Sequence, residues 1–444
     1  MAAVEKKTVS SVDQRLPLLL LLAYGLQHVM AMYSGAVAVP LIVAAALDLP
    51  REQLIFLINA DLFTCGVATL VQTLGLGSRI GARLPLMQGC TFAAVTPMIM
   101  IGQTHGGGME GLRVVYGSVI AAGLFSFLIA KYFSRMLDFF PKLVTGTVII
   151  IIGISLMPVA VQWAGGGDPA AIDYCAPHHI LMAAAVLAVI LFFYRVGHGF
   201  VRNVAVLLGL ILGTLAATLL GAVDYTAVAE APLFDVTLPF AFGPPIFDLS
   251  SVLSMTLVML LVMAETTGDV VAVSEIVGHP MSQELLARTL RADGITSILG
   301  GILNAFPYTA FSQNVGLLSL TRIKSRYVVA VGGGLLMLMG LLPKLAAVIA
   351  CVPTAVLGGA GLAMFGMVAA NGVKTLSRIE FDKGYNMMVV AIGLSVALVP
   401  PGFYHKFPVW AQLVLNSGIT MGSLATVVLN LLLNGWGSCR NKTE

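Results

Sequence analysis

The chain has 444 residues, 58% of them hydrophobic and only 10% charged, with a formal net charge of +3 and a mean hydropathy of +0.95. Soluble domains carry about 25% charged residues, so the composition excludes an ordinary water-soluble domain. A small positive excess without a basic patch also excludes a nucleic-acid-binding protein.

The first fifteen residues, MAAVEKKTVSSVDQR, are polar, and no small-residue cleavage site follows the first apolar run. That run is read as a retained span rather than a signal peptide. Apolar runs then follow at 16–43, 54–74, 114–130, 143–164, 180–193, 201–220, 249–264, 295–306, 327–352, 356–370, 385–399 and 409–433. A helix needs about 20 apolar residues to cross a bilayer, and these twelve runs qualify or nearly do. Two shorter, interrupted segments, LPLMQGCTFAAVTPM (84–98) and FPYTAFSQNVGLLSL (306–320), are read as broken spans. Residues 221–248, with four acidic residues and four prolines, read as a solvated external connection between the halves. Cys65, Cys90, Cys175, Cys351 and Cys439 show no CxxC spacing. They indicate neither a disulfide framework nor a metal site and read as small apolar fillers.

Basic residues favour the cytoplasmic side of a membrane. With fourteen spans and the N-terminus inside, all but four of the 24 Lys and Arg fall on that side together with both termini; Arg51, Arg113, Lys344 and Lys406 are the exceptions. Internal similarity supports a two-fold repeat. PKLVTGTVIIIIG from Pro141 and PTAVLGGAGLAMFG from Pro353 share Pro, then Val, then Gly at matching offsets, and the two broken segments form a second pair. Corresponding interrupted segments in two halves point to a transporter binding site, because non-helical backbone is tolerated at membrane depth only where it lines a cavity or is buried in protein.

Charges inside a membrane cost roughly 2.5–3.5 kcal/mol each, so the few present are informative. Glu265 and Asp269, in MAETTGDVVAVSE, are spaced i,i+4 and share one helix face. Two carboxylates that close in a partly dry site are not both readily ionised, which suits a proton carrier; a solvated helix end is the alternative. His28 reads either as a functional group or as a structural hydrogen-bonder, Asp61 as a packing or helix–helix contact, and Asp293 as an interfacial cap or ion pair or as part of a gate. Gln313 and Asn314 stand side by side. In an extended segment they would face opposite ways, leaving one amide for a planar heterocycle with N–H and C=O edges. A helix-packing amide pair is the alternative.

These residues resemble the nucleobase–ascorbate transporter (nucleobase–cation symporter-2) family nearly end to end. The resemblance rests on Gln313-Asn314-Val315-Gly316 followed by Thr321-Arg322, on ETTGD at 265–269, on Gln27-His28, and on GCTF at 89–92. It implies an all-α polytopic protein of fourteen spans in two inverted repeats of seven, with short antiparallel strands in spans 3 and 10. Core parts at 1–137 and 248–347 would pack against gate parts at 138–247 and 348–444, and the gate would form a homodimer. In such a family Glu265 and Gln313 hold the base, and the backbone near Phe92 and Ser312 completes the site. Asp269, Asp293, His28 and Asn314 fall at positions used for coupling or site geometry. The resemblance implies proton-driven symport, by an elevator-like movement, of an oxidised purine across a bacterial plasma membrane. No cofactor beyond the proton gradient is implied, and the partners are purine, protons and lipid. Gln313 favours oxidised purines over uracil, and Thr91 resembles urate carriers more than xanthine carriers, so uric acid is expected, with xanthine as the alternative. A sulfate-transporter-like anion carrier would need a neutral or basic site, against which the acidic pair argues. An intramembrane aspartyl protease would need a second aspartate motif, and no GxGD pattern accompanies Asp61 or Asp269.

Overall fold

In lipid a backbone must satisfy its own hydrogen bonds, which leaves an apolar chain of this kind the α-helix. A computed structural model of the protein describes residues 11–135, 141–400 and 402–435. The two termini, whose cytoplasmic placement was expected, Cys439 and the expected boundary at 137/138 lie outside the described residues.

The order of elements is α1 (Leu18–Ala46), α2 (Arg51–Leu74), β1 (Gln88–Cys90), α3 (Val95–Thr104), α4 (Gly108–Phe133), α5 (Lys142–Ala164), α6 (Pro177–Val196), α7 (Phe200–Asn203), α8 (Ala205–Leu219) and α9 (Thr226–Glu230). The second half continues with α10 (Leu249–Val277), α11 (Gln283–Ile302), β2 (Tyr308–Ala310), α12 (Ser312–Thr321), α13 (Arg326–Gly340), α14 (Pro343–Ala350), α15 (Thr354–Leu376), α16 (Asn386–Ala397), α17 (Val409–Leu415) and α18 (Gly418–Asn434). Among the described residues seven helices are long and apolar enough to cross a membrane singly: α1, α2, α4, α5, α6, α10 and α15. The bent pair α13 and α14 qualifies jointly.

Side-chain chemistry sets several helix ends. Asp248 accepts the Ser251 N–H at 2.8 Å and caps α10; Gly278, at φ +75°, turns the chain out of its C-terminus. Ser282 caps α11 by accepting from Leu285 N. This cap begins α11 twelve residues before the apolar run at 295–306. The early turns are tolerated because Arg288 and Arg291 donate to the Gly81 and Arg79 carbonyls. Asp293 consequently lies inside the helix and is fully buried, which corrects the reading of it as an interfacial cap or ion pair.

The helices pack in two groups. In one, α2 lies against α13, α1 against both, and α4 against α11 and α10. In the other, α5 lies against α15, α6 against α8 and α15, and α18 against α5 and α16. Small residues allow the close approaches, as is common where lipid gives helices no hydrophobic drive to associate. A Cβ on Gly66 would sit 2.4 Å from the Gly333 carbonyl oxygen, and one on Gly358 would sit 2.2 Å from Ala164 N. The paired sequences from Pro141 and Pro353 are thus α5 and α15, packed on one another. Leu181, Phe192, Leu215 and Leu219 project outward from α6 and α8, as suits a lipid-facing surface.

Candidate functional site

Pro85 and Pro307 stand near the starts of the two interrupted segments, where a ring without an N–H disfavours helix. Each segment instead runs extended for three residues and then turns into a short helix. The extended pieces pair with one another: β1 and β2 are antiparallel, with Gln88 opposite Ala310, Gly89 opposite Thr309 and Cys90 opposite Tyr308. The ladder continues symmetrically beyond both ends, through Thr91 N to the Pro307 carbonyl and Phe311 N to the Met87 carbonyl, each at 2.9 Å. Backbone that cannot bond within a helix is satisfied by the pairing of the two segments. Gly89 is required at the centre, because a Cβ there would meet Phe311 ring carbons at 2.4 Å.

Two half-helices leave this ladder. One begins at Phe92, with Thr91 accepting the Ala93 N–H through its hydroxyl; the other begins at Ser312. The first N–H groups of a helix have no intrahelical acceptor and carry the positive end of its dipole. Gln313 and Asn314 lie in the first turn of α12, not in an extended strand, which corrects the sequence-based expectation. They nevertheless serve different faces. Gln313 lines a cavity, whereas Asn314 donates through Nδ2 to the His28 carbonyl at 2.8 Å and to His28 Nδ1 at 3.1 Å. Asn314 and His28 thereby tie α12 to α1.

The acidic residues occupy distinct places. Asp269 accepts the Ser312 hydroxyl with both oxygens, at 2.9 and 3.0 Å, and so tethers the start of α12 to α10. Glu265, one turn earlier on α10, faces the cavity, and its Oε2 is buried with no hydrogen-bond partner among the described residues. Asp293 accepts from Gln72 Nε2 at 2.8 Å and from the Thr266 hydroxyl at 2.7 Å, and Thr266 also contacts the Thr309 hydroxyl at 2.9 Å. Asp293 therefore braces β2 from behind without reaching the cavity lining.

The cavity, about 50 Å³ in volume, is bounded by Phe92, Glu265 and Gln313 on one side. Ile149 and Ile152 of α5 and Val368 and Asn371 of α15 close the other. Phe92 stands 6.3 Å from Phe311 and 5.8 Å, edge to face, from Phe365. The site thus combines an unpartnered carboxylate oxygen, a carboxamide, two helix starts and aromatic faces. That set can accept and donate to a flat polar heterocycle and cover its face. Thr91 is fully buried beneath the half-helix. Asn371, Cys90 and Thr309 also line the cavity and were not legible as lining residues, since only the β1–β2 pairing and the placing of α15 opposite it bring them there.

A permease-family model matches residues 20–403. Uric acid permease PucJ of Bacillus subtilis is 43% identical over 426 residues, covering 94% of this chain and 93% of that protein. The chain belongs to the nucleobase–ascorbate transporter family. Within that family, the uric acid transporter UacT of Escherichia coli K12 is 44% identical, covering 94% of this chain and 86% of the relative. The xanthine permease of B. subtilis is also 44% identical, over 93% of both chains. Solved structures share the fold of this family member at low identity. The transmembrane domain of the cyanobacterial bicarbonate transporter BicA matches with a TM-score of 0.62 and 15% identity, covering 94% of this chain and all of that one. The murine Solute Carrier 26 family member A9 anion transporter, inward-facing, gives 0.59 at 12% identity, over 95% of this chain and 69% of that one. The protein is a transporter of many membrane-spanning helices and not an enzyme.

Proposed function

We propose that this transporter imports an oxidised purine, uric acid first, together with protons across a bacterial plasma membrane. The observation that carries the reading is the buried, unpartnered Oε2 of Glu265 facing a cavity it shares with Gln313 and the two helix starts. A purine N–H would satisfy the carboxylate, its neighbouring C=O and N–H edge would match the Gln313 amide, and the helix N-termini would favour its oxygens. Urate is largely anionic at neutral pH, and an ionised Glu265 beside it would repel it. A proton taken up with the substrate removes that repulsion, which gives symport an electrostatic reason. Xanthine is the second reading, favoured by the equal identity of the xanthine and uric acid relatives.

In the proposed architecture the seven long apolar helices, the α13–α14 pair and α3, α8, α11, α12, α16 and α18 make fourteen spans in two inverted repeats, with both termini cytoplasmic. The group around α1, α2, α4 and α10–α13 acts as a core that moves elevator-fashion against the group around α5, α6, α8, α15, α16 and α18, which forms the dimer. The cavity between the groups, with lining residues from both, supports this division. Glu265, Gln313, Phe92, Ser312 and Thr91 form the binding region, and Asp269, Asp293, His28 and Asn314 hold its geometry or move the proton. Reconstituted protein should accumulate labelled urate, and less readily xanthine, when an inward proton gradient is imposed, while excluding uracil. Absence of gradient-dependent purine uptake would refute the proposal.

A further inference from the structure

Asp61 takes no part in the site described above, yet it is fully buried in the middle of α2. Three donors reach its carboxylate among the described residues. Tyr308 Oη donates to Oδ1 at 2.9 Å, the Cys65 thiol donates to Oδ2 at 3.7 Å, and the Cys90 thiol, 3.5 Å from Oδ2, shares its hydrogen between Asp61 and the Ala36 carbonyl at 3.4 Å. Cys90 and Tyr308 are partners across the β1–β2 ladder. One carboxylate therefore grips both strands at the same end.

Asp293 does the corresponding work at the other end. Asp61 and Asp293 are each the eleventh residue of their helices, α2 and α11, and each follows an alanine. The antiparallel register places a two-fold relation through Gly89 and Thr309, which makes Tyr308 the counterpart of Gln88. Tyr308 donates to Asp61, and the Gln88 amide, oriented to satisfy both its ends, donates to Asp293 at 3.3 Å. The packing repeats the relation, since α2 lies on α13 as α11 lies on α4. Each aspartate also reaches a cavity-lining residue: Asp61 through Cys90 directly, and Asp293 through Thr266 to Thr309.

We infer that Asp61 is a positioning residue for the substrate cavity, the repeat-related partner of Asp293, and that it acts by clamping Cys90 and Tyr308 so that both half-helices start at fixed points. The donor sets differ in kind. Asp293 is held by two amides and a hydroxyl, Asp61 by a phenol and two thiols, which are weak donors. The Asp61 end of the ladder is the softer one, with Tyr308 as its principal tie.

This inference rests on the proposed purine site for its transport readout, so a second readout independent of substrate accompanies it. The variants are Asp61→Asn, Tyr308→Phe, which keeps the ring and removes only the hydroxyl, and the double substitution. The first measurement is uptake of labelled urate in proteoliposomes, with protein amount and thermal stability determined alongside. Each single variant should raise KM about tenfold, one such step being about 1.4 kcal/mol, with Vmax per transporter close to wild type. The double variant should be no worse than Asp61→Asn alone. The second measurement is the rate of Cys90 alkylation by a small maleimide, read by peptide mass spectrometry without substrate; it should rise severalfold in each variant. A KM equal to wild type in both single variants, additive effects in the double variant, or unchanged Cys90 labelling would each overturn the inference. Should wild-type protein carry no purine while Cys90 labelling still rises in the variants, the purine reading fails and the clamp stands. If Asp61→Asn does not assemble, Tyr308→Phe alone decides.

Discussion

Replacing Glu265 with glutamine keeps the side chain's size and removes its charge and one acceptor oxygen. Oε2 is buried and makes no hydrogen bond to the described residues, so a purine N–H can supply one. With the symported proton on the carboxyl this is a bond between neutral side-chain and purine groups, which contributes about 0.5–1.5 kcal/mol, and each 1.4 kcal/mol is a factor of ten. Affinity should therefore fall by roughly 2- to 12-fold. The substitution also separates binding from folding. Glu265 and Asp269 lie i,i+4 on α10, where like charges oppose one another by about 0.2–0.5 kcal/mol. Glu265→Gln should thus leave thermal stability unchanged or slightly raised while binding weakens. Competition binding of labelled urate to purified protein measures the affinity, and proteoliposomes under an imposed proton gradient measure accumulation. An amide at this position cannot carry the proton, so concentrative uptake should be abolished. Wild-type affinity with normal accumulation would remove Glu265 from the site; weak binding accompanied by a large loss of stability would show that the residue supports the fold instead.

Three further outcomes are expected. Asn314→Asp places a carboxylate oxygen against the His28 carbonyl that now accepts from Nδ2; the lost bond and the new repulsion should destabilise the protein by about 1–3 kcal/mol, seen as a lower melting temperature, and an unchanged one would contradict the assignment. Gly89→Ala sets a methyl 2.4 Å from Phe311, and the forced shift should cost about 1–3 kcal/mol and disturb purine binding, read by melting and by ligand competition. At the N-terminal end of α10, burial pushes the Asp248 carboxyl up, but hydrogen bonds from Ser250 and Ser251 outweigh it and hold it below the ordinary carboxylate value. Its stabilising contribution is therefore complete above the unfolded value and is lost as pH falls through the lower folded one. Asp248→Ala should cost about 0.5–2 kcal/mol near neutrality and progressively less in acid; a loss that does not shrink with falling pH would refute the capping role.

The amino-acid sequence by itself determined what depends on local composition and short spacing. Sparse charge and long apolar runs specify a membrane bundle. Prolines and polar residues at 84–98 and 306–320 mark the two interruptions, and the i,i+4 spacing of Glu265 and Asp269 puts both on one face of α10. It misjudged Gln313 and Asn314 as extended, because a three-residue strand running into a helix leaves no periodicity to read. It named Asp61 as a packing or helix–helix contact, which the bond to Tyr308 bears out, but could not place Asp293, since a lone aspartate in a helix looks the same whether it is solvated or buried. Only the tertiary structure decided those points. Asp61 meets Tyr308 across 247 residues of chain, and Gln72 meets Asp293 across 221. Such contacts follow from folding the first half of the chain against the second, which no local pattern encodes. The same holds for the cavity, whose second wall comes from α5 and α15. The residues that can touch a purine are legible one by one, but the space between them exists only once the two packed groups face each other.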